Sequence, residues 1–168
     1  GNPSVDSVAY YKEHQAIPKD AFIKEEGLAD KPILALLSGS RKQEIKDNLP
    51  TMLKVASAYP DYQPVIAGAP GIDPAYYQEY IGSYPAKIVF GKTYPLLQHS
   101  AAALVTSGTA TLETALFRVP QVVCYYVVAG QLASFIFKHF FHTKYISLVN
   151  LIGGREIVQE LFLSLIHI

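Results

Sequence analysis

Val105-Thr106-Ser107-Gly108-Thr109-Ala110-Thr111-Leu112-Glu113 is the stretch on which the fold turns. It continues the apolar run Ala101 to Val105, which reads as a buried strand, and it opens the segment Thr109 to Phe117, which reads as a helix. The turn between them, Ser107-Gly108-Thr109, is small and polar. A strand, a glycine-containing turn and a helix start bring backbone N–H groups and the positive end of the helix dipole to one point, which suits a phosphate or diphosphate. Glu113 lies four residues after Thr109, on the same helix face. A carboxylate there cannot hold the phosphate, but it can accept hydrogen bonds from ribose hydroxyls. The stretch therefore reads as a nucleotide-diphosphate site, against the plainer reading that Ser-Gly-Thr is a helix cap and nothing more. Neither Gly-x-Gly-x-x-Gly nor a Gly-Lys-Ser/Thr phosphate loop occurs in the chain.

Working outward, further apolar runs bounded by turn residues read as strands: Ile33 to Leu37, Gln63 to Gly68, Lys87 to Gly91, Gln121 to Val128 and Tyr145 to Leu148. Helices fill the intervals. Ser4 caps a first helix ending near His14, and Pro18 to Pro32 reads as a linker or loop. Ser40 and Gln43 form a capping-box pattern, which starts a helix running to about Ala58 with a kink or restart at Asn48-Leu49-Pro50. Arg41 and Lys42 fall in that first turn, where the helix dipole disfavours cations by about 0.3–1 kcal/mol. Either solvent screens them or a bound anion reverses the balance. Asp73-Pro74 starts a short helix whose Tyr76, Tyr77 and Tyr80, with Tyr84 beyond, read as surface cover rather than a stacking platform. Thr93 to His99 is a short helix. Gln131 to Phe141 reads as a helix rich in Phe, either a core helix or an apolar patch with basic rims that touches a bilayer surface. Ile157 to Leu163 reads as a final helix, which would put Asn150 and Arg155 in a turn at the carboxyl end of the preceding strand.

Strands alternating with helices imply an α/β, Rossmann-like fold, a parallel sheet with helices on both faces. Three polar turns then gather at the carboxyl ends of strands: Ser38 to Arg41, Ser107 to Thr111 and Asn150 to Arg155. The 168 residues suit one domain. Fourteen basic and fourteen acidic side chains balance, so the electrostatic footprint of a nucleic-acid binder is missing. The single cysteine, Cys124, excludes an internal disulfide, and the five histidines show no zinc-type spacing. No apolar run reaches the roughly 18–20 residues of a membrane span. The start at Gly1 and the apolar tail Ser164 to Ile168 are most simply those of a fragment whose tail is truncated or non-native.

Three motifs in order, Ser38-Gly39-Ser40-Arg41-Lys42-Gln43-Glu44, then Ser107-Gly108-Thr109-Ala110-Thr111-Leu112-Glu113, then Asn150-Leu151-Ile152-Gly153-Gly154-Arg155-Glu156 with Glu160-Leu161, resemble lipid-A-disaccharide synthase. Gly1-Asn2-Pro3 with Asp6 resembles the entry to that family's C-terminal half. The likeness covers the chain apart from its tail. It departs at Ser38 and Val149, where the family usually has proline, and neither change removes a polar side chain from the motifs.

The resemblance implies the C-terminal, donor-binding half of an inverting glycosyltransferase with two Rossmann-like domains, the GT-B type. Such an enzyme transfers 2,3-diacylglucosamine from UDP to 2,3-diacylglucosamine 1-phosphate, with no metal or other cofactor. It is cytoplasmic and peripheral on the inner membrane of Gram-negative bacteria. Residues 1–32 would be the interdomain entry and linker, and 33–163 the UDP-sugar-binding domain; the N-terminal partner domain would carry the catalytic base. Gly39, Ser40 and Arg41, with Ser107, Gly108, Thr109, Ala110 and Thr111, would surround the diphosphate. Arg41 would stabilise the leaving UDP, Glu113 would take the ribose, Gly91 would border the uracil, and Asn150 and Arg155 would meet the donor sugar or diphosphate. Two alternatives remain open. One is another UDP-N-acetylglucosamine enzyme of this architecture, the peptidoglycan N-acetylglucosaminyltransferase or the 2-epimerase; the other is a non-catalytic nucleotide-binding module.

Overall fold

The structure, a computed structural model, describes residues 3–106, 108–127, 150 and 155–164. Six strands are described: β1 (Ile33–Leu37), β2 (Gln63–Gly68), β3 (Lys87–Phe90), β4 (Ser100–Thr106), β5 (Gln121–Val127) and β6 (Gln159–Ser164). Six helices accompany them: α1 (Pro3–His14), α2 (Lys19–Glu25), α3 (Lys42–Ser57), α4 (Pro74–Ile81), α5 (Thr93–His99) and α6 (Thr109–Leu116). The strands form one sheet in the order β3-β2-β1-β4-β5-β6, and every pairing is parallel. The direction of winding reverses between β1 and β4, the position where open α/β sheets bind their ligands.

Each face of the sheet has its own core, as the alternation of side chains along a strand requires. On one face Ala35, Leu37, Val65 and Val105 pack with Leu96 and Leu97 of α5 and with Phe22. On the other, Leu34, Leu36, Ile66 and Leu104 pack with Ile45, Leu49, Met52 and Leu53 of α3 and with Tyr77 of α4. All five residues of β1 are buried. A strand covered on both faces has no polar side to show, so its sequence is an unbroken apolar run.

Several details differ from the sequence expectations. The segment Pro18 to Pro32 contains α2 rather than only a linker, because Phe22, fully buried, ties it to the core. The helix started after Ser40 runs to Ser57, close to the expected Ala58, but it does not restart at Pro50: α3 is one continuous helix from Lys42. Leu49, Met52 and Leu53 are buried on either side of Pro50, and the carbonyl that loses its helix bond is that of exposed Lys46. Tyr77 is not surface cover: its ring is fully buried and its hydroxyl accepts the Ala69 N–H at 2.8 Å. The expected final helix is instead β6, in parallel register with β5 from Gln159↔Val122 to Ser164↔Val127. The expected strand Tyr145 to Leu148 and helix Gln131 to Phe141 lie outside the described residues.

Candidate functional site

Leu37 and Val105 are register partners, so the loops that leave β1 and β4 emerge side by side. Between them opens a cleft of about 340 Å³. Gly39, Ser40, Arg41 and Glu44 line one wall, and Thr106, Gly108, Thr109, Ala110 and Glu113 line the other. The end of β2, at Gly68, and Thr93 of α5 complete it. The first two sequence motifs, far apart in the chain, thus share one cavity. Another concavity of about 380 Å³ is bordered by Leu34, Met52, Val55, Leu104 and Val122. That wall is almost wholly apolar and offers nothing that would hold a phosphate.

The first loop is held by Glu44, a residue the sequence reading quoted without giving it a role. Its Oε2 accepts the Ser40 N–H at 2.8 Å and the Arg41 N–H at 3.3 Å. Arg41, not Ser40, occupies the N-cap position of α3. Gln43 takes no part in capping; its amide donates to both oxygens of Asp47, at 2.9 and 3.0 Å. The available signal was a glutamate at the third helical position, which reaches back to the cap N–H. Gly39 has φ 110°, and a Cβ there would come within 2.5 Å of Glu44, so glycine is required twice over. The two cations also separate. Lys42 lies over the Tyr76 ring, 5.4 Å from its centre. Arg41 is exposed at the cleft and forms no ion pair with the described residues.

The second loop begins α6 with Gly108, whose φ of 142° is glycine territory. Thr109 and Ala110 follow at the cleft, where the first N–H groups of the helix lack partners within it. Thr111 differs from expectation. It is fully buried, and its hydroxyl and N–H both turn back to the Gly108 carbonyl, at 2.8 and 3.2 Å. It shapes the turn and offers no hydroxyl to a ligand. Ser107 lies outside the described residues. Glu113 faces the cleft, and its Oε1 accepts the Tyr94 hydroxyl at 3.0 Å. Burial, then the negative charge of Glu113 and the hydrogen bond to it, push the Tyr94 hydroxyl up to about 12. At the carboxyl ends of β1 and β4, the hydroxyls of Ser38 and Thr106 are buried with no hydrogen-bond partner among the described residues.

Gly91 does not line this cleft. With φ 65° it borders an adjoining hollow, together with Tyr11, Lys92 and Tyr94, and the two cavities meet at Thr93. Asn150 and Arg155 do not join the described lining either. Asn150 is fully buried; its Oδ1 accepts the N–H groups of Ile157 and Val158 at 2.7 and 2.9 Å, and its amide donates to the Val158 carbonyl at 2.8 Å. Because residues 159–164 form a strand, these bonds hold Asn150 at the amino end of β6, level with the start of β5, whereas the cleft sits at the carboxyl ends. Arg155 is exposed just before the same edge. Among the described residues there is no group of three or more His, Cys, Asp or Glu that could hold a metal ion, and no helix is long and apolar enough to cross a membrane.

The family model for lipid-A-disaccharide synthetase matches residues 1–165. The chain belongs to that family. It is 33% identical over 156 residues to the lipid-A-disaccharide synthase of Solibacter usitatus, covering 90% of this chain and 40% of that protein. It is 39% identical over 141 residues to the lipid-A-disaccharide synthase of Psychromonas ingrahamii, covering 79% of this chain and 36% of that protein. The chain thus spans about 40% of the length of the lipid-A-disaccharide synthases it matches. Among solved structures, the UDP-GlcNAc 2-epimerase of Methanocaldococcus jannaschii aligns with TM-score 0.54 at 13% identity, over 95% of this chain and 43% of that one. A family 9 glycosyl transferase of Veillonella parvula aligns with TM-score 0.51 at 16% identity, over 86% of this chain and 38% of that one. At such identities the likeness speaks to the fold alone, the Rossmann-like half of the GT-B architecture.

Proposed function

We propose that this chain is the UDP-sugar-binding half of a glycosyltransferase that moves 2,3-diacylglucosamine from UDP to 2,3-diacylglucosamine 1-phosphate, forming the lipid A disaccharide. The observation that carries this reading is the cleft at the reversal of the sheet. It sets an unpaired Arg41, the start of α6 and the Glu113 carboxylate around one cavity. A diphosphate between Arg41 and the N–H groups at Thr109 and Ala110 meets a full charge on one side and a helix dipole on the other. Glu113, one turn along α6, then stands where the ribose follows. The hollow beside Gly91 lies on the far side of Thr93 and offers Tyr11 and Tyr94 as a wall for the base.

In the transfer, negative charge grows on the diphosphate as the sugar's anomeric carbon departs. Arg41 and the helix start stabilise that charge more in the transition state than before it, with no covalent step on this chain. The base that activates the acceptor hydroxyl belongs to the partner domain. Peripheral contact with the inner membrane belongs to the same proposal and rests on the acyl chains of both substrates. Asn150 and Arg155 are left out of the site.

Calorimetry of UDP with this chain tests the reading. Saturable binding that falls at least about tenfold in both Arg41→Ala and Glu113→Ala, with unchanged circular dichroism, is the expected result. A folded chain that binds UDP equally well after both substitutions would overturn it.

A further inference from the structure

Tyr94 is a residue that neither the motifs nor the family match singles out. Its ring is held edge-on by Tyr11, at 5.5 Å between ring centres, and tilted against Phe117, also at 5.5 Å. Tyr11 is itself fixed, its hydroxyl donating to Gln98 Oε1 at 2.6 Å. The ring can therefore present its hydroxyl in few directions, and the direction found ends on Glu113 Oε1 at 3.0 Å. A glutamate on a helix surface otherwise samples several rotamers, and each ordered side chain loses entropy on binding. A donor on a rigid aromatic removes that freedom before the ligand arrives. The bond also occupies one carboxylate oxygen, leaving the other as the acceptor for a ligand hydroxyl.

We infer that Tyr94 is a positioning residue for ribose recognition: it locks the Glu113 carboxylate so that its second oxygen selects a ribonucleotide over a nucleotide lacking the sugar hydroxyls. This rests on the reading of Glu113 as the ribose acceptor. The Tyr94 hydroxyl, unlike the ring that walls the hollow for the base, reaches the ligand only through Glu113, so the effect of removing it must vanish when the ribose hydroxyls do.

The test compares UDP with 2′,3′-dideoxy-UDP by calorimetry on the full chain, in the wild type, Tyr94→Phe, Glu113→Gln and the double variant. Phenylalanine keeps the ring and its contacts with Tyr11 and Phe117, and circular dichroism checks the fold. Wild type should prefer UDP. Tyr94→Phe should lose about tenfold in UDP affinity while dideoxy-UDP is unaffected, and the double variant should be no worse than Glu113→Gln. If Tyr94→Phe weakens both ligands equally, or neither, while Glu113→Gln abolishes the preference, Tyr94 does not position the carboxylate. If Glu113→Gln leaves the preference intact, the ribose reading itself falls, and this inference with it.

Discussion

The carboxylate of Glu44 holds the backbone N–H of Ser40 at 2.8 Å and that of Arg41 at 3.3 Å, so the loop carrying the cation of the site is tied to the first turn of its own helix. Removing the carboxylate in Glu44→Ala should destabilise the chain by about 0.5–2 kcal/mol, the range for a lost N-terminal cap. It should also lower UDP affinity, because Arg41 would no longer leave the loop in a fixed direction. Urea unfolding and calorimetry on the same variant measure both. An unchanged urea midpoint would show that the loop does not depend on Glu44.

Gly39→Ala attacks the same contact from the other side. The added methyl meets Glu44 at 2.5 Å on a backbone with φ 110°. Strain of this kind costs on the order of 1–3 kcal/mol before the clash is counted. The variant should unfold at lower urea and bind UDP weakly. An alanine tolerated with native affinity would mean that the loop adopts a different path.

Tyr77→Phe isolates one buried hydrogen bond. The ring stays, but the Ala69 N–H loses its acceptor at 2.8 Å. A buried donor left without a partner costs about 1–3 kcal/mol. The loss should appear as a lower urea midpoint with an unchanged slope.

Phe22→Ala separates a docked helix from a linker. Phe22 is fully buried in the core beneath β1 and α5. Its truncation should cost about 3–5 kcal/mol, as for other buried phenylalanines. A residue in a free linker would give a change near zero in the same thermal or urea melt.

Cys124 carries the pH prediction. Burial pushes its thiol up from the ordinary value to about 11. A group whose folded value is raised contributes stability that is complete below its unfolded value and is lost as the pH climbs through the folded one. The window for this loss therefore runs from about 9 to about 11. At pH 8 the thiolate is correspondingly scarce, and native alkylation by iodoacetamide should be about 100-fold slower than in the urea-unfolded chain. Equal rates, read by mass spectrometry, would place the thiol at the surface.

The runs at Ile33 to Leu37 and Gln63 to Gly68 were legible as strands because burial on both faces leaves no polar alternation to confuse the reading. The turns at Gly39 to Arg41 and Gly108 to Ala110 were legible because glycine and an N-terminal polar residue mark where backbone donors gather. Residues 157–163 misled for the opposite reason. Val158-Gln159-Glu160-Leu161 is good helix sequence, and only pairing with β5, which no local window contains, makes β6 of it. That one difference also moved Asn150 to the far edge of the sheet. Phe22 was missed because one aromatic in a polar stretch carries no period, and Tyr77 because nothing local sets it apart from Tyr76 and Tyr80; the burial of both depends on what lies opposite. Tyr94 gave no local signal, since its partner Glu113 comes from another helix.

The loops from β1 and β4 meet only because Leu37 lies beside Val105, with α3, β2, α4, β3 and α5 strung between them in the chain. A nucleotide bound across the cleft, as proposed, would therefore be a reversible cross-link across the middle of the sheet. It would fasten two distant segments much as a covalent bridge does, but only while the ligand concentration lasts. At one hundred times its dissociation constant such a ligand adds about 2.7 kcal/mol. That increment would be felt by every element strung between the loops, so a melting curve taken with and without UDP reports on the closure of the whole sheet as much as on the site itself.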